Sequence, residues 1–336
     1  MASLVPRLAP GSVFAERFRV LAYVGQGSMG SVYRAEPLDG GPLLALKLVR
    51  LDGVDGRAAR RFEREAESGQ RIQSPHVART LASGKLGESL GWLAMEYASG
   101  QSLEALVQSQ GGLDRETALL VLGQLFGAAA AAHAVGIVHR DLKPDNIRVS
   151  DQDGGLGVKV LDFGIAKDFG VSTLSGTTPG LGTPLWTAPE QTREGYQPVA
   201  SADVWALGLL AFFALSGGVY WRHTSPTASL ADLALELLRG EIVSASQRAA
   251  ELGLPRSLPR GFDTWFARAV NREASLRFTD AAEAWAALEP LLSASPAVGA
   301  PPHRVSVAPG IFLTAVIAGV VTMGLAIYWL LQSMRI

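Results

Sequence analysis

The sequence predicts an α+β protein of two lobes, a small β-rich one followed by a larger helical one, with a single apolar helix near the C-terminus. Three observations carry that expectation. Residues 18–98 hold short apolar runs separated by glycine, the pattern of strands joined by tight turns. Residues 99–292 carry long stretches with apolar positions at helical spacing. Ile311 to Leu331 is a run of 21 residues without a charge, enough to cross about 30 Å of hydrocarbon at about 1.5 Å per residue. At 336 residues the chain is long enough for both lobes to have a core. Its formal net charge of −1, with no Lys/Arg tract, gives no field that would gather nucleic acid. The absence of cysteine excludes disulfides, thiolate chemistry and cysteine-ligated metal centres. Met1 to Glu16 contains Pro6, Arg7 and Pro10 but no continuous apolar stretch, so no secretory signal is expected.

The first lobe opens with Phe18 to Tyr33, which reads as strand, glycine turn, strand around Gly25-Gln26-Gly27-Ser28-Met29-Gly30. A strand follows the glycines where a dinucleotide-binding unit would have a helix. Glycines let a hairpin lie close over phosphates, and Val32 offers an apolar face to a base; a plain hairpin accounts for the same pattern. Leu43 to Val49 is an apolar strand interrupted by Lys47, either an exposed edge lysine or a phosphate ligand. Arg57 to Gln73 is helical and charged, and Glu63, Glu65 and Glu67 are each candidates to pair with Lys47. Val77–Ser83 and Gly91–Met95 supply two more strands, and Met95-Glu96-Tyr97-Ala98 precedes a break at Gly100.

The second lobe begins with a long helix capped by Asp114, with apolar positions from Ala118 to Ala132 and an end at Gly136. Then comes His139-Arg-Asp-Leu-Lys-Pro-Asp-Asn-Ile-Arg-Val-Ser, which packs Asp141, Lys143 and Asn146 into six residues fixed by Pro144. Such a loop aims side chains. Phosphoryl transfer needs this set: a carboxylate for the hydroxyl proton, a cation for the moving charge and an oxygen ligand for Mg²⁺. Asp162 stands at a strand end in Asp-Phe-Gly, 16 residues beyond Asn146. Ile165 to Thr187 is rich in Ser, Thr, Gly and Pro and reads as a mobile loop. Asp203 opens an apolar helix to about Leu215, and helices around Leu230–Arg239, Phe262–Val270 and Thr279–Leu291 fill the lobe. A Pro/Ala/Ser-rich linker at 293–309 leads to the apolar helix at 310–332.

These motifs resemble those of bacterial eukaryotic-like (Hanks-type) serine/threonine protein kinases over about residues 18–292. The resemblance implies a two-lobed protein kinase fold, with an N-terminal extension at 1–17, N-lobe and hinge at 18–98 and C-lobe at 99–292. It implies that Asp141 is the base, that Lys143 supports the γ-phosphoryl and that Asn146 and Asp162 hold Mg²⁺ or Mn²⁺. Lys47 would bind the α/β-phosphates and pair with Glu65, or less readily with Glu63. The ATP site would be made by Gly25, Gln26, Gly27, Ser28, Gly30, Val32, Ala45, Lys47, Met95 as gatekeeper, the backbone of Glu96 and Ala98, and Arg148. Arg148 departs from the family, which places an apolar residue beneath adenine there.

Arg140 would read phosphorylation at Ser172, Thr173, Ser175, Thr177 or Thr178. Thr183 would be structural, Asp203 would anchor the catalytic loop, and Arg277 would pair with Glu190. The implied activity is transfer of the γ-phosphoryl of ATP to Ser/Thr hydroxyls of proteins, its own loop included, in membrane-associated bacterial signalling. The partners would be protein substrates, ATP, the membrane and a possible second copy, with no nucleic acid. The kinase would face the cytoplasm, on a single pass through the inner membrane, with no sensor domain beyond it. A membrane-anchored pseudokinase scaffold is the alternative, opposed by intact Lys47, Asp141, Asn146 and Asp162. A small-molecule kinase is disfavoured by the Gly-Thr-Pro…Ala-Pro-Glu segment.

Overall fold

Alternating burial along the first strands builds an antiparallel sheet with one face against a core. The computed structural model describes residues 7–27, 30–51, 62, 66, 69–87, 89–152, 155–163, 184–193, 195–224 and 229–294. Outside them lie Ser28, Glu63, Glu65, Glu67, Thr183, the five loop Ser/Thr candidates, the linker from residue 295 onward and the apolar span at 311–331. The sheet comprises β1 (Val13–Phe14), β2 (Phe18–Gly27), β3 (Gly30–Pro37), β4 (Leu44–Arg50), β5 (Thr80–Leu86) and β6 (Leu90–Glu96), in the order β1-β2-β3-β4-β6-β5. Phe18, Val20, Tyr33, Leu46, Leu48 and Trp92 form its core.

Register sets the candidate positions: Gly27 faces Gly30, Val32 faces Lys47, Lys47 faces Leu93, and Ala45 faces Met95. At Gly30 the strands approach so closely that a Cβ would run into the Leu48 carbonyl, so only glycine fits. The sheet also begins earlier than the sequence suggests. Phe14 is buried and meets Trp92 edge-on at 6.3 Å, but a two-residue strand is too short to leave a periodic signature. Of the expected helix at 57–73, Phe62, Ala66, Gly69 and Gln70 are helical, with Phe62 and Ala66 buried one turn apart.

Seven helices are described in the second lobe: α1 (Leu103–Gln110), α2 (Arg115–Ala134), α3 (Ala200–Ser216), α4 (Leu230–Arg239), α5 (Ala245–Glu251), α6 (Phe262–Ala269) and α7 (Ala281–Ser293). Asp114 caps α2 by accepting the Thr117 amide, and Gly136 takes φ 74° just beyond its end. Helix α2 is long and apolar enough to cross a membrane, yet Val121, Leu122, Leu125 and Phe126 are fully buried in this lobe's core. Helix α3 is buried along nearly its whole length and starts three residues before Asp203, which places that carboxylate inside the first turn. Helix α5, capped by Ser244, is an element the sequence reading did not separate from its surroundings.

A small sheet of β7 (Gln101–Ser102), β8 (Ile147–Gln152) and β9 (Gly155–Val160) carries the chemistry-bearing loops at its ends. Ile147 pairs with Val160, so the ends holding Asn146 and Asp162 lie side by side, and the Leu161 amide donates to the Asn146 carbonyl at 2.8 Å. Two more backbone bonds, from Ala78 to Val160 and from Val160 to His76, join β9 to the segment entering β5.

Candidate active site

The loop at residues 139–146 is held from below by buried side chains. Arg140 adopts φ 67°, a left-handed conformation disfavoured for a residue with a Cβ. Asp203 stabilises it: one carboxylate oxygen accepts the Arg140 amide at 2.8 Å, the other the His139 amide at 2.7 Å. His133 adds a third contact, its Nε2 lying 3.0 Å from Asp203. The Ala281 amide donates to His133 Nδ1, so Nε2 carries the proton and donates to the carboxylate. Burial raises the Asp203 carboxyl, but the hydrogen bond from His133 and the neighbouring His139 outweigh it and hold it below the ordinary range. By the same logic the Asp141 amide donates to His139 Nδ1, leaving Nε2–H to bond the Leu161 carbonyl at 2.8 Å. His139 thereby links the loop to the residue before Asp162, and its ring packs 4.6 Å from Phe163.

Above this support stand the polar groups. Lys143 Nζ lies 3.0 Å from Asp141 Oδ2. Asn146 Nδ2 donates to the Asp141 carbonyl at 2.8 Å and sits 3.3 Å from its carboxylate. Lys47, 5% exposed, reaches from β4 to Asp162 at 2.8 Å. The expected partner Glu65 is outside the described residues; among those described, Lys47 pairs with Asp162. Burial raises the Asp162 carboxyl, but the Lys47 ammonium, helped by Lys143, outweighs it and keeps the group below its usual range. Asp162 itself has φ 58°, a second non-glycine residue of the site in the left-handed region.

The glycine hairpin is roomy at its first glycine: nothing lies within 4 Å of where a Gly25 Cβ would stand. Ser31 Oγ donates to Gln26 Oε1 at 2.9 Å across the hairpin. Met95 is buried between Ala45 on β4 and Thr80 on β5, and Glu96 pairs with Lys159 at 2.6 Å. Ala98 is half-buried where the chain passes to the second lobe. Arg148 is half-buried too, and its guanidinium donates to the Gly100 carbonyl, so the charge lies at the lobe junction with a partner.

On the far side, Arg277 and Glu190 form a bidentate pair at 2.6 and 2.9 Å, and Arg277 also donates to the Asn271 and Ser201 carbonyls. A pair so buried is costly to break from one side, by about 3–5 kcal/mol. Trp221 Nε1 donates to the Leu185 carbonyl at 2.7 Å, which seats the turn Pro184–Trp186. Gln191 joins the Ala188 amide to the Arg140 carbonyl. Neither Gln191 nor His133 is singled out by the sequence, because the bonds that brace the loop, Gln191 to Arg140 and His133 to Asp203, each span more than 50 positions.

The donor chemistry fits a hard divalent cation. Asp162 is a carboxylate, and Asn146 commits its amide nitrogen to Asp141, which leaves Oδ1 as an acceptor. One or two such oxygens, completed by phosphate and water, is what Mg²⁺ takes. No cluster of three or more His, Asp or Glu occurs among the described residues, so a site supplied wholly by those side chains is not present there.

Comparison with known proteins follows the same lines. A protein kinase domain model matches residues 18–283. The chain is 30% identical over 275 residues to the probable serine/threonine-protein kinase PknB of Lactococcus lactis, covering 81% of this chain and 42% of the relative. It is 34% identical over 310 residues to the serine/threonine-protein kinase pkn2 of Myxococcus xanthus, covering 88% of this chain and 35% of the relative. It thus spans less than half the length of either. A crystal structure of a double mutant of the Mycobacterium tuberculosis PknI kinase domain matches the fold with TM-score 0.63 at 24% identity, covering 85% of this chain and 100% of that one.

Proposed function

The chain belongs to the protein kinase domain family, and from that premise we propose that it transfers the γ-phosphoryl of ATP to serine and threonine hydroxyls of proteins. The observation that carries this reading is the convergence of Asp141, Lys143 and Asn146 with the Lys47–Asp162 pair at the ends of β8 and β9. Asp141 accepts the proton of the attacking hydroxyl as the new O–P bond forms and ADP departs with the electrons of the broken one. Lys143, already against that carboxylate, moves to the phosphoryl oxygens as their charge builds, and Lys47 neutralises the phosphates of the nucleotide. A divalent cation bound through Asn146 Oδ1 and Asp162 would screen the phosphate charge. Most of the rate comes from holding these groups in place.

Asp141→Asn tests the assignment. It should reduce phosphotransfer to below about a tenth of wild type while the protein stays folded, because the amide keeps the shape and loses the basicity. An asparagine variant with near-normal kcat, measured with radiolabelled ATP, would sink it.

We also propose that Ile311 to Leu331 anchors the chain in the membrane with the kinase domain in the cytoplasm, where ATP is available. The support is its length of 21 residues without a charge, with Tyr328 and Trp329 suited to an interface. Truncation after Leu292 should release a soluble, active enzyme; a truncated protein that still pellets with membranes would count against the anchor.

A further inference from the structure

Gln191 is bonded at both ends of its amide. Its Oε1 accepts the Ala188 N–H at 3.0 Å, within the turn Pro189–Thr192, and its Nε2 donates to the Arg140 carbonyl at 3.0 Å. The second bond reaches across 51 positions to the residue before the proposed base. Arg140 is one of four non-glycine residues with positive φ among those described, a conformation that costs about 1–3 kcal/mol and persists only where its surroundings hold it. Its N–H is held by Asp203, and its C=O by Gln191. The held carbonyl belongs to the Arg140–Asp141 peptide, whose plane also contains the Asp141 N and Cα, so holding it fixes the position of the Cα and the N–Cα axis from which the Asp141 side chain departs.

We propose that Gln191 is a positioning residue for phosphoryl transfer, the second arm of a clamp whose first arm is Asp203. Through the Arg140 carbonyl it aims the Asp141 carboxylate at the acceptor hydroxyl. The inference rests on the phosphotransfer reading above. Only a side chain that both accepts and donates fills this place. A carboxylate satisfies the Ala188 amide equally well but turns a lone pair toward the Arg140 carbonyl. A purely local role, closing the turn at 188–192, therefore predicts that glutamate is tolerated; the clamp predicts that it is not.

The experiment uses the full chain carrying Gln191→Glu or Gln191→Ala. Phosphotransfer to a general basic acceptor protein is measured with Mg·ATP, and backbone amide exchange is followed in parallel. In Gln191→Glu, kcat should fall by between about ten- and a hundredfold, with the KM for ATP moving less than about threefold. Amides of residues 137–147 should exchange faster while Ala188 stays protected. Gln191→Ala should lose protection at both places. Wild-type kcat and unchanged exchange at 137–147 in Gln191→Glu would overturn the proposal, as would a loss confined to KM. A wild type that transfers no phosphate would remove the activity itself, and the exchange comparison would still decide whether Gln191 holds the loop.

Discussion

The two ends of the reaction are held in different ways. On the C-lobe side, the loop carrying Asp141 is gripped at its backbone by Asp203, with His133 behind it and His139 reaching to Leu161. On the N-lobe side, Lys47 comes from a strand whose register is fixed, and among the described residues the end of its side chain meets Asp162 in an ion pair. The proposed base is thus fixed by several mutually supporting bonds to buried groups, which rigidifies it. The proposed phosphate ligand sits in an exchangeable contact, with an ammonium that can leave one oxygen for another at little cost. A group that must be aimed is anchored through its backbone; the ammonium that must follow a substrate is held by an ion pair at the end of a long stem.

That contrast breaks first at Asp203. Asp203→Ala leaves two amides and the His133 N–H without an acceptor in a buried place, at about 1–3 kcal/mol each. Denaturant titration should show a loss of about 3 kcal/mol or more, with phosphotransfer lost alongside it. A variant within a few tenths of a kcal/mol of wild type would mean the anchor is redundant.

Lys47→Met should act on the reaction more than on the fold, reducing kcat to below about a tenth. It also carries a pH signature. The depressed Asp162 carboxyl contributes stability that is present above its unfolded value of about 4 and lost as pH falls through the folded value. Without the ammonium, burial dominates and raises that carboxyl, so the contribution changes sign: unfavourable at neutral pH, relieved on acidification. The Tm of the variant relative to wild type should therefore rise between pH 7 and about pH 5. A constant difference would show that the pair does not govern Asp162.

The smallest effect is expected at Arg148, whose charge already has a carbonyl partner at the lobe junction. Arg148→Leu should leave kcat nearly unchanged and move the KM for ATP by less than about tenfold, roughly 1.4 kcal/mol. A wild type that binds no nucleotide and is rescued by leucine would reverse the functional reading.

Much of this arrangement is legible in the sequence because it is local. The glycine hairpin, the spacing of Asp141, Lys143 and Asn146, and the Asp114 cap are all written within a few residues of one another. The supports are not. His133 meets Asp203 across 70 positions and Gln191 meets Arg140 across 51, so no neighbour in the sequence announces either bond. Nor does an arginine announce a left-handed backbone; Arg140 adopts one because Asp203 and Gln191 bind it from outside. The first strand, Val13–Phe14, escaped for a simpler reason: two residues cannot display a period of two.

Gly30 and Gly25 share a motif but would age differently. The Leu48 carbonyl leaves no room for a side chain at Gly30, whereas the space over Gly25 is open. A descendant of this chain that abandoned nucleotides would still need a glycine at 30 to keep its sheet, while position 25 could drift to almost any small residue. In such a lineage the third glycine records the persistence of the fold, and the first would be among the earliest places to register the loss of the chemistry.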